Sequence, residues 1–343
     1  MPLKITALEE HIVTPPVLEA WSRQSPADRD LAYEASVGGD TGRRLLDTDD
    51  ARREAMARTG VDVQVLSLTT PGLQSLPTDE ALGLQRTTND HIAGIVQQSG
   101  GTFQGLAALA TGTPGAAAEE LERCVQDLGL DGAMLFGRSG TMSVDDPRLD
   151  PLWATAERLQ APLYLHPQSP PPEVRAAYYD GLTTGTGAGH SADLDAALAS
   201  GFATHGIGWH YDAGVQFLRM VLSGVFDRFP RLQLVMGHWG ELVLFYLERI
   251  DHLVRMADRD RTLQDYVGNN LYVTPSGMLS DRYLSWAVDV IGTDRIMFST
   301  DYPFEAASQS GAREFLTSAP ISQADKEKIG SGNWDRLRDG IVR

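Results

Sequence analysis

Short apolar runs punctuate this chain at intervals, and segments with helical spacing fill most of the gaps between them. Uninterrupted or alternating apolar positions predict strands over residues 4–11, 61–68, 103–109, 132–136, 162–166, 232–238, 270–274 and 295–300. Apolar residues recurring every three or four positions predict helices over 78–98, 115–128, 151–159, 213–226, 241–256 and 280–291. Strands that alternate with helices imply βαβ units and a parallel sheet. Eight such strands fit a single (β/α)8 TIM barrel over residues 1–343 better than an open doubly wound sheet.

Two segments break the alternation. Residues 14–53 carry mixed charge, and residues 169–208 are rich in Pro, Gly and Ala. Each follows a predicted strand, so both are expected as long loops over the C-terminal face, where barrel active sites lie. The stretch GTGAGH at 185–190 neither follows a strand nor matches GxGxxG, so it is not read as a nucleotide site.

Composition narrows the class. The chain is 42% hydrophobic and 22% charged, with a formal net charge of −17. No basic patch stands out, which argues against nucleic acid as a partner. Cys124 is the sole cysteine, so an intramolecular disulfide is excluded and a thiolate metal site is not expected. No apolar run reaches membrane-spanning length and residues 1–5 lack a signal-like core, so a soluble cytoplasmic protein is expected.

The chemistry lies where the predicted strands end. Glu9 and His11 alternate on the first strand and so project to one side, leaving Glu10 pointing away. The fifth strand ends at His166, the sixth at His238 with Glu241 just beyond, and the eighth at Asp301. Singly, each has an ordinary explanation: a structural histidine, a solvated acid pair, or a turn-capping aspartate before Tyr-Pro. Together, at the ends of strands 1, 5, 6 and 8 of one barrel, they converge on one mouth. Buried carboxylates and imidazoles are costly unless paired or bound to a cation. A divalent metal site of Glu9, His11, His166 and Asp301 resolves that cost. Its sulfur-free donor set admits Zn2+, Mn2+ or iron, with the two carboxylates leaning towards Mn2+, so one Mn2+ or Zn2+ ion is expected.

These motifs, LEEH, YLHP, GHWGE and FSTDYPFE, resemble those of the amidohydrolase-related metal-dependent decarboxylases. The resemblance is to the γ-resorcylate and 2,3-dihydroxybenzoate decarboxylase branch, related to aminocarboxymuconate semialdehyde decarboxylase, and it runs nearly the full length. It implies His238 as a catalytic residue near the metal, assisted by Glu241. Arg249 falls where similar enzymes carry an arginine, which either touches a substrate carboxylate or is structural. Three departures lie at positions expected to border the substrate: the long 171–208 segment, TTPG beginning at Thr69, and Tyr302 where Trp is frequent. Trp209 reads equally as a ring-stacking residue or a packed core aromatic.

The resemblance implies non-oxidative decarboxylation of an ortho-hydroxybenzoate, chelated through carboxylate and phenolate, with Asp301 protonating the ring carbon that loses CO2. The partner is then a small aromatic carboxylate, no organic cofactor is needed, and a homodimer or homotetramer is expected. Two alternatives stand beside it: hydrolysis of a lactone, amide or ester by the same site, and a barrel that binds a ligand without turnover. The Glu-x-His form of the first motif, in place of His-x-His, favours the lyase.

Overall fold

The computed structural model describes residues 3–26, 29–185, 191–305 and 311–343. All paired strands are parallel. β1 (Thr6–Ile12), β2 (Val63–Leu68) and β3 (Phe103–Gly105) form one run; β4 (Ala107–Ala108), β5 (Ala133–Leu135), β6 (Leu163–Leu165), β7 (Leu234–Met236) and β8 (Leu271–Val273) form the other. The strand predicted over 103–109 is thus divided into β3 and β4. The two runs join there, because Leu106 N–H donates to Leu66 and Ala107 N–H donates to Gly132.

The strand predicted over 295–300 is reduced to single bridges, yet these close the ring. Ile296 pairs with Val273 of β8, and Phe298 pairs with Ala7 of β1. The inner core tells the same story. Leu8, Val65, Leu106, Met134, Tyr164, Val235, Tyr272 and Met297, one from each stave, pack into one cluster. Residues one position away, such as Leu66, Leu135, Leu163 and Met236, pack outward against the helices. This two-sided burial is what a parallel barrel demands of its strands.

The helices expected over 78–98 and 280–291 occur at Thr78–Gln98 and Asp281–Ile291. The one expected over 241–256 is shorter, Leu247–Met256. Five residues in a row, His238 to Leu242, have positive φ, between 47° and 88°, and a helix cannot start until that left-handed run ends.

The two insertions are largely helical rather than loops. Residues 14–53 contain Pro15–Arg23, Ala32–Val37 and Gly39–Leu46 and enter Asp50–Thr59; the later segment contains Pro172–Tyr178 and Ala192–Gly201. Of the GTGAGH stretch, residues 186–190 lie outside the described residues. Cys124 is free and buried. Among the described residues no helix is long and apolar enough to cross a membrane.

Candidate metal and active site

The register of β1 against β2 shifts between Ala7 and Glu10. A bulge of this kind turns successive side chains towards the same face. Leu8 therefore joins the inner core, while the next residue, Glu9, also reaches inward, to Tyr164. The Tyr164 hydroxyl donates to Glu9 Oε2 at 2.7 Å, and the Ser276 hydroxyl donates to the same oxygen. Gly237 makes room for this carboxylate: a Cβ there would sit 3.1 Å from both Glu9 oxygens and 2.4 Å from Ser276 Oγ. Glu10 faces elsewhere, accepting from Thr300 N–H and from Gln64, each at 2.8 Å.

Glu9 Oε1 and His11 Nε2 are both buried without a hydrogen-bond partner. Such orphaned atoms are expensive unless something else satisfies them. His166 Nε2 lies 3.5 Å from Glu9 Oε1, and Asp301 Oδ1 lies 3.3 Å from His11 Nε2. Donor atoms of Glu9, His11 and His166 all fall within 4.8 Å of one another. The outer nitrogens of both histidines are occupied. His166 Nδ1–H donates to the Pro167 carbonyl at 2.8 Å, and His11 Nδ1 meets Ser67 Oγ at 3.3 Å. The Pro167 carbonyl fixes the His166 tautomer with its Nε2 lone pair aimed at the common point, and the Ser67 contact holds the His11 ring with Nε2 towards the same point. Burial pushes His11 down to about 4 and His166 well below its ordinary value, so both are neutral, as cation ligands must be. Two imidazole nitrogens and two carboxylates form a donor set that fits a divalent metal ion.

Beside this cluster, His238 Nδ1–H donates to Glu241 Oε1 at 2.6 Å. Burial alone would lower the His238 pKa, but the charge and hydrogen bond of Glu241 raise it to about 10. Glu241 is held ionised against its own burial by His238 and by a second imidazole, His210, whose Nδ1 lies 2.8 Å from Oε2. Burial raises Asp301 to about 7. Asp301 can thus carry a proton near neutrality.

A cavity of about 740 Å3 opens over these groups and is lined by His166, His238, Asp301 and Trp209. The Trp209 ring centroid stands 6.4 Å from that of His166, and its indole N–H donates to Ser169 Oγ at 3.1 Å. It is a wall residue. Both insertions reach this cavity, through Ala32 and Ala35 from one and Ala197 and Thr204 from the other.

Two residues expected near the substrate lie outside the lining of this cavity. Arg249 is exposed on Leu247–Met256 and does not line the cavity, since the helix starts only after the left-handed run has turned the chain outward. Thr69 is buried behind the wall, its N–H donating to Ile12; the neighbouring Thr70 lines the cavity instead. Sequence reading also passed over His210, Tyr164, Ser276 and Gly237. His210 directly follows Trp209, but a single histidine at a helix start carries no spacing signal. Gly237 in MGHWGE was equally silent, because its role is to leave space.

A family profile described as amidohydrolase matches residues 40–337. The γ-resorcylate decarboxylase of Rhizobium sp. (strain MTP-10005) is 35% identical, over 96% of this chain and 97% of its own. The structure of 5-carboxyvanillate decarboxylase from Sphingomonas paucimobilis superposes with a TM-score of 0.85 at 30% identity, covering 99% of this chain and 100% of that one. A dihydroxybenzoic acid decarboxylase from Polaromonas sp. JS666, solved with manganese and 2-nitroresorcinol, gives a TM-score of 0.81 at 32% identity, covering 99% and 97%.

Proposed function

The chain belongs to the amidohydrolase family, and we propose that it catalyses metal-dependent, non-oxidative decarboxylation of an ortho-hydroxybenzoate. The observation that carries this reading is the pair of orphaned buried atoms, Glu9 Oε1 and His11 Nε2, with Asp301 Oδ1 3.3 Å from the latter. Glu9, His11, His166 and Asp301 hold one divalent ion. The donor set, and the manganese in the Polaromonas structure, favour Mn2+. Such an ion supplies a positive centre for the carboxylate and ortho-phenolate oxygens of the substrate.

The remaining work falls to side chains. Trp209 walls the aromatic ring and excludes water from that face. Asp301 takes the proton that the substrate's ortho-hydroxyl gives up on becoming a phenolate and passes it to the ring carbon bearing the carboxylate, forming a C–H bond. The bond from that carbon to the carboxylate then breaks, its electron pair restores aromaticity, and CO2 leaves. His238, kept protonated by Glu241, faces the same cavity and steadies the negative charge around Asp301. No step requires an organic cofactor.

The same reading makes the chain one catalytic domain that self-associates as a homodimer or homotetramer. Phe245 and Tyr246 are 70% and 51% exposed and pack edge to face, an apolar surface suited to a second copy.

The test is a panel of ortho-hydroxybenzoates offered to the Mn-loaded protein, followed by loss of substrate absorbance. Turnover of at least one acid to its phenol is expected. Failure on every acid, alongside hydrolysis of a lactone, overturns the reading.

A further inference from the structure

The cavity is far larger than a simple dihydroxybenzoate. Allowing each non-hydrogen atom the ~30 Å3 that a water claims in the liquid, such an acid fills roughly 330 Å3. The cavity offers about 740 Å3. Part of the cavity lining comes from two insertion helices, Ala32–Val37 and Ala192–Gly201. Both present small side chains to the cavity at helical spacing: Ala32 and Ala35 from the first, Ala197, Ser200 and Gly201 from the second. Small residues on two facing helices keep this chamber open.

Its chemistry is equally one-sided. Among the described residues no lysine or arginine lines the cavity, while Glu34 and Glu305 do. His205 is the other titratable side chain on the outer wall. A second carboxylate on the ring, lying away from His238 and its partner Glu241, would meet the like charge of the exposed Glu34. One polar group remains uncommitted. The Thr70 hydroxyl is buried, at 1% exposure, lines the cavity and has no hydrogen-bond partner. Its own carbonyl accepts from Ser36 at 2.9 Å, which fixes Thr70 beside Ala32–Val37. A buried hydroxyl left unpaired costs free energy that a substrate hydroxyl would recover.

We propose that the substrate is an ortho-hydroxybenzoate with a single carboxylate and an uncharged ring substituent of several atoms, such as an alkyl chain, housed between these helices, with Thr70 taking a ring hydroxyl. This rests on the decarboxylase reading and narrows its substrate class.

The experiment compares kcat/KM of the Mn-loaded protein for 2,6-dihydroxybenzoate, for 2,4-dihydroxybenzoates carrying a 6-methyl, 6-propyl or 6-pentyl chain, and for a hydroxybenzene dicarboxylate. Because one buried methylene is worth about 10-fold or more in discrimination, the propyl acid should exceed the unsubstituted acid by at least about 10-fold. The dicarboxylate should be the poorest substrate. Calorimetric affinities of the corresponding 5-alkylresorcinol products should rise in the same order. Ala197→Trp, which fills the chamber, should bring the kcat/KM ratio of the propyl acid to the unsubstituted acid down to about one, with metal content retained. A flat chain-length series with normal turnover of 2,6-dihydroxybenzoate overturns this inference alone, as does a preferred dicarboxylate or an Ala197→Trp variant that loses all acids equally. Absence of CO2 from every acid overturns it together with the decarboxylase reading.

Discussion

Asp301 Oδ1 lies 3.3 Å from His11 Nε2, across the seam where the last stave of the barrel returns to the first. The contact joins residues 290 positions apart, and it depends on barrel closure through the Ala7–Phe298 bridge. Asp301 is thereby both a neighbour of the ligand cluster and a carboxyl raised by burial to about 7. Asp301→Asn keeps the shape but cannot give up a carboxylic proton. Turnover should fall by about 10²–10⁴-fold, the usual worth of a positioned acid, with part of the metal retained. Unchanged turnover, with metal content measured in parallel, would show that the proton comes from elsewhere.

Gly237 is the spacing device of the site. In Gly237→Ala the new methyl meets Ser276 Oγ at 2.4 Å and the Glu9 oxygens at 3.1 Å, so Ser276 must move and the carboxylate it supports shifts with it. Displacing a ligand by such an amount should weaken metal affinity by about 10–100-fold, the range seen for disrupted supporting contacts. Mn2+ titration, followed by the rise in Tm that ligand binding confers, measures the loss.

The His238–Glu241 pair sets a pH dependence of stability. The folded-state pKa of His238, about 10, stands above its ordinary value near 6.5. The folded protein therefore holds a proton that the unfolded chain releases. The stabilisation is complete below about pH 6.5 and disappears as pH rises through about 10. Tm of the metal-free protein should decline over that window. In Glu241→Gln the decline should be shallower, because the charge that raised His238 is gone.

His210 shares the same carboxylate at 2.8 Å and lines the cavity. Removing its donor in His210→Ala leaves Glu241 Oε2 without that bond and frees Glu241 to turn. We expect kcat to drop by about 10-fold with KM and metal content little changed, and His210→Gln, which can still donate, to recover part of the loss. A change confined to Tm would assign His210 a structural role only.

Much of this molecule is legible from its residue pattern. Period-two strands alternating with helical segments specify the staves and their order, and Glu9, His11, His166 and Asp301 stand out as polar groups at strand ends. Local pattern could not show the β1 bulge, which depends on pairing with β2, nor the left-handed run from His238 to Leu242, which shortens the following helix and leaves Arg249 outside. Ala32–Val37 and Ala192–Gly201 were hidden for a different reason: their small and charged residues give little apolar periodicity, since their inner faces line a cavity rather than a core. Gly237, Tyr164 and Ser276 act only through space around Glu9, so nothing in their immediate sequence marks them.

The account turns on one ion per chain driving loss of CO2. The direct measurement is titration of Mn2+ into metal-free protein with 2,6-dihydroxybenzoate, recording evolved CO2 at each addition. We predict no CO2 without metal, a linear rise with added ion and a plateau at one ion per chain, with CO2 and resorcinol formed in equal amounts. CO2 evolution from the metal-free protein, or none at saturating Mn2+ from this or any other ortho-hydroxybenzoate of the panel, would contradict it.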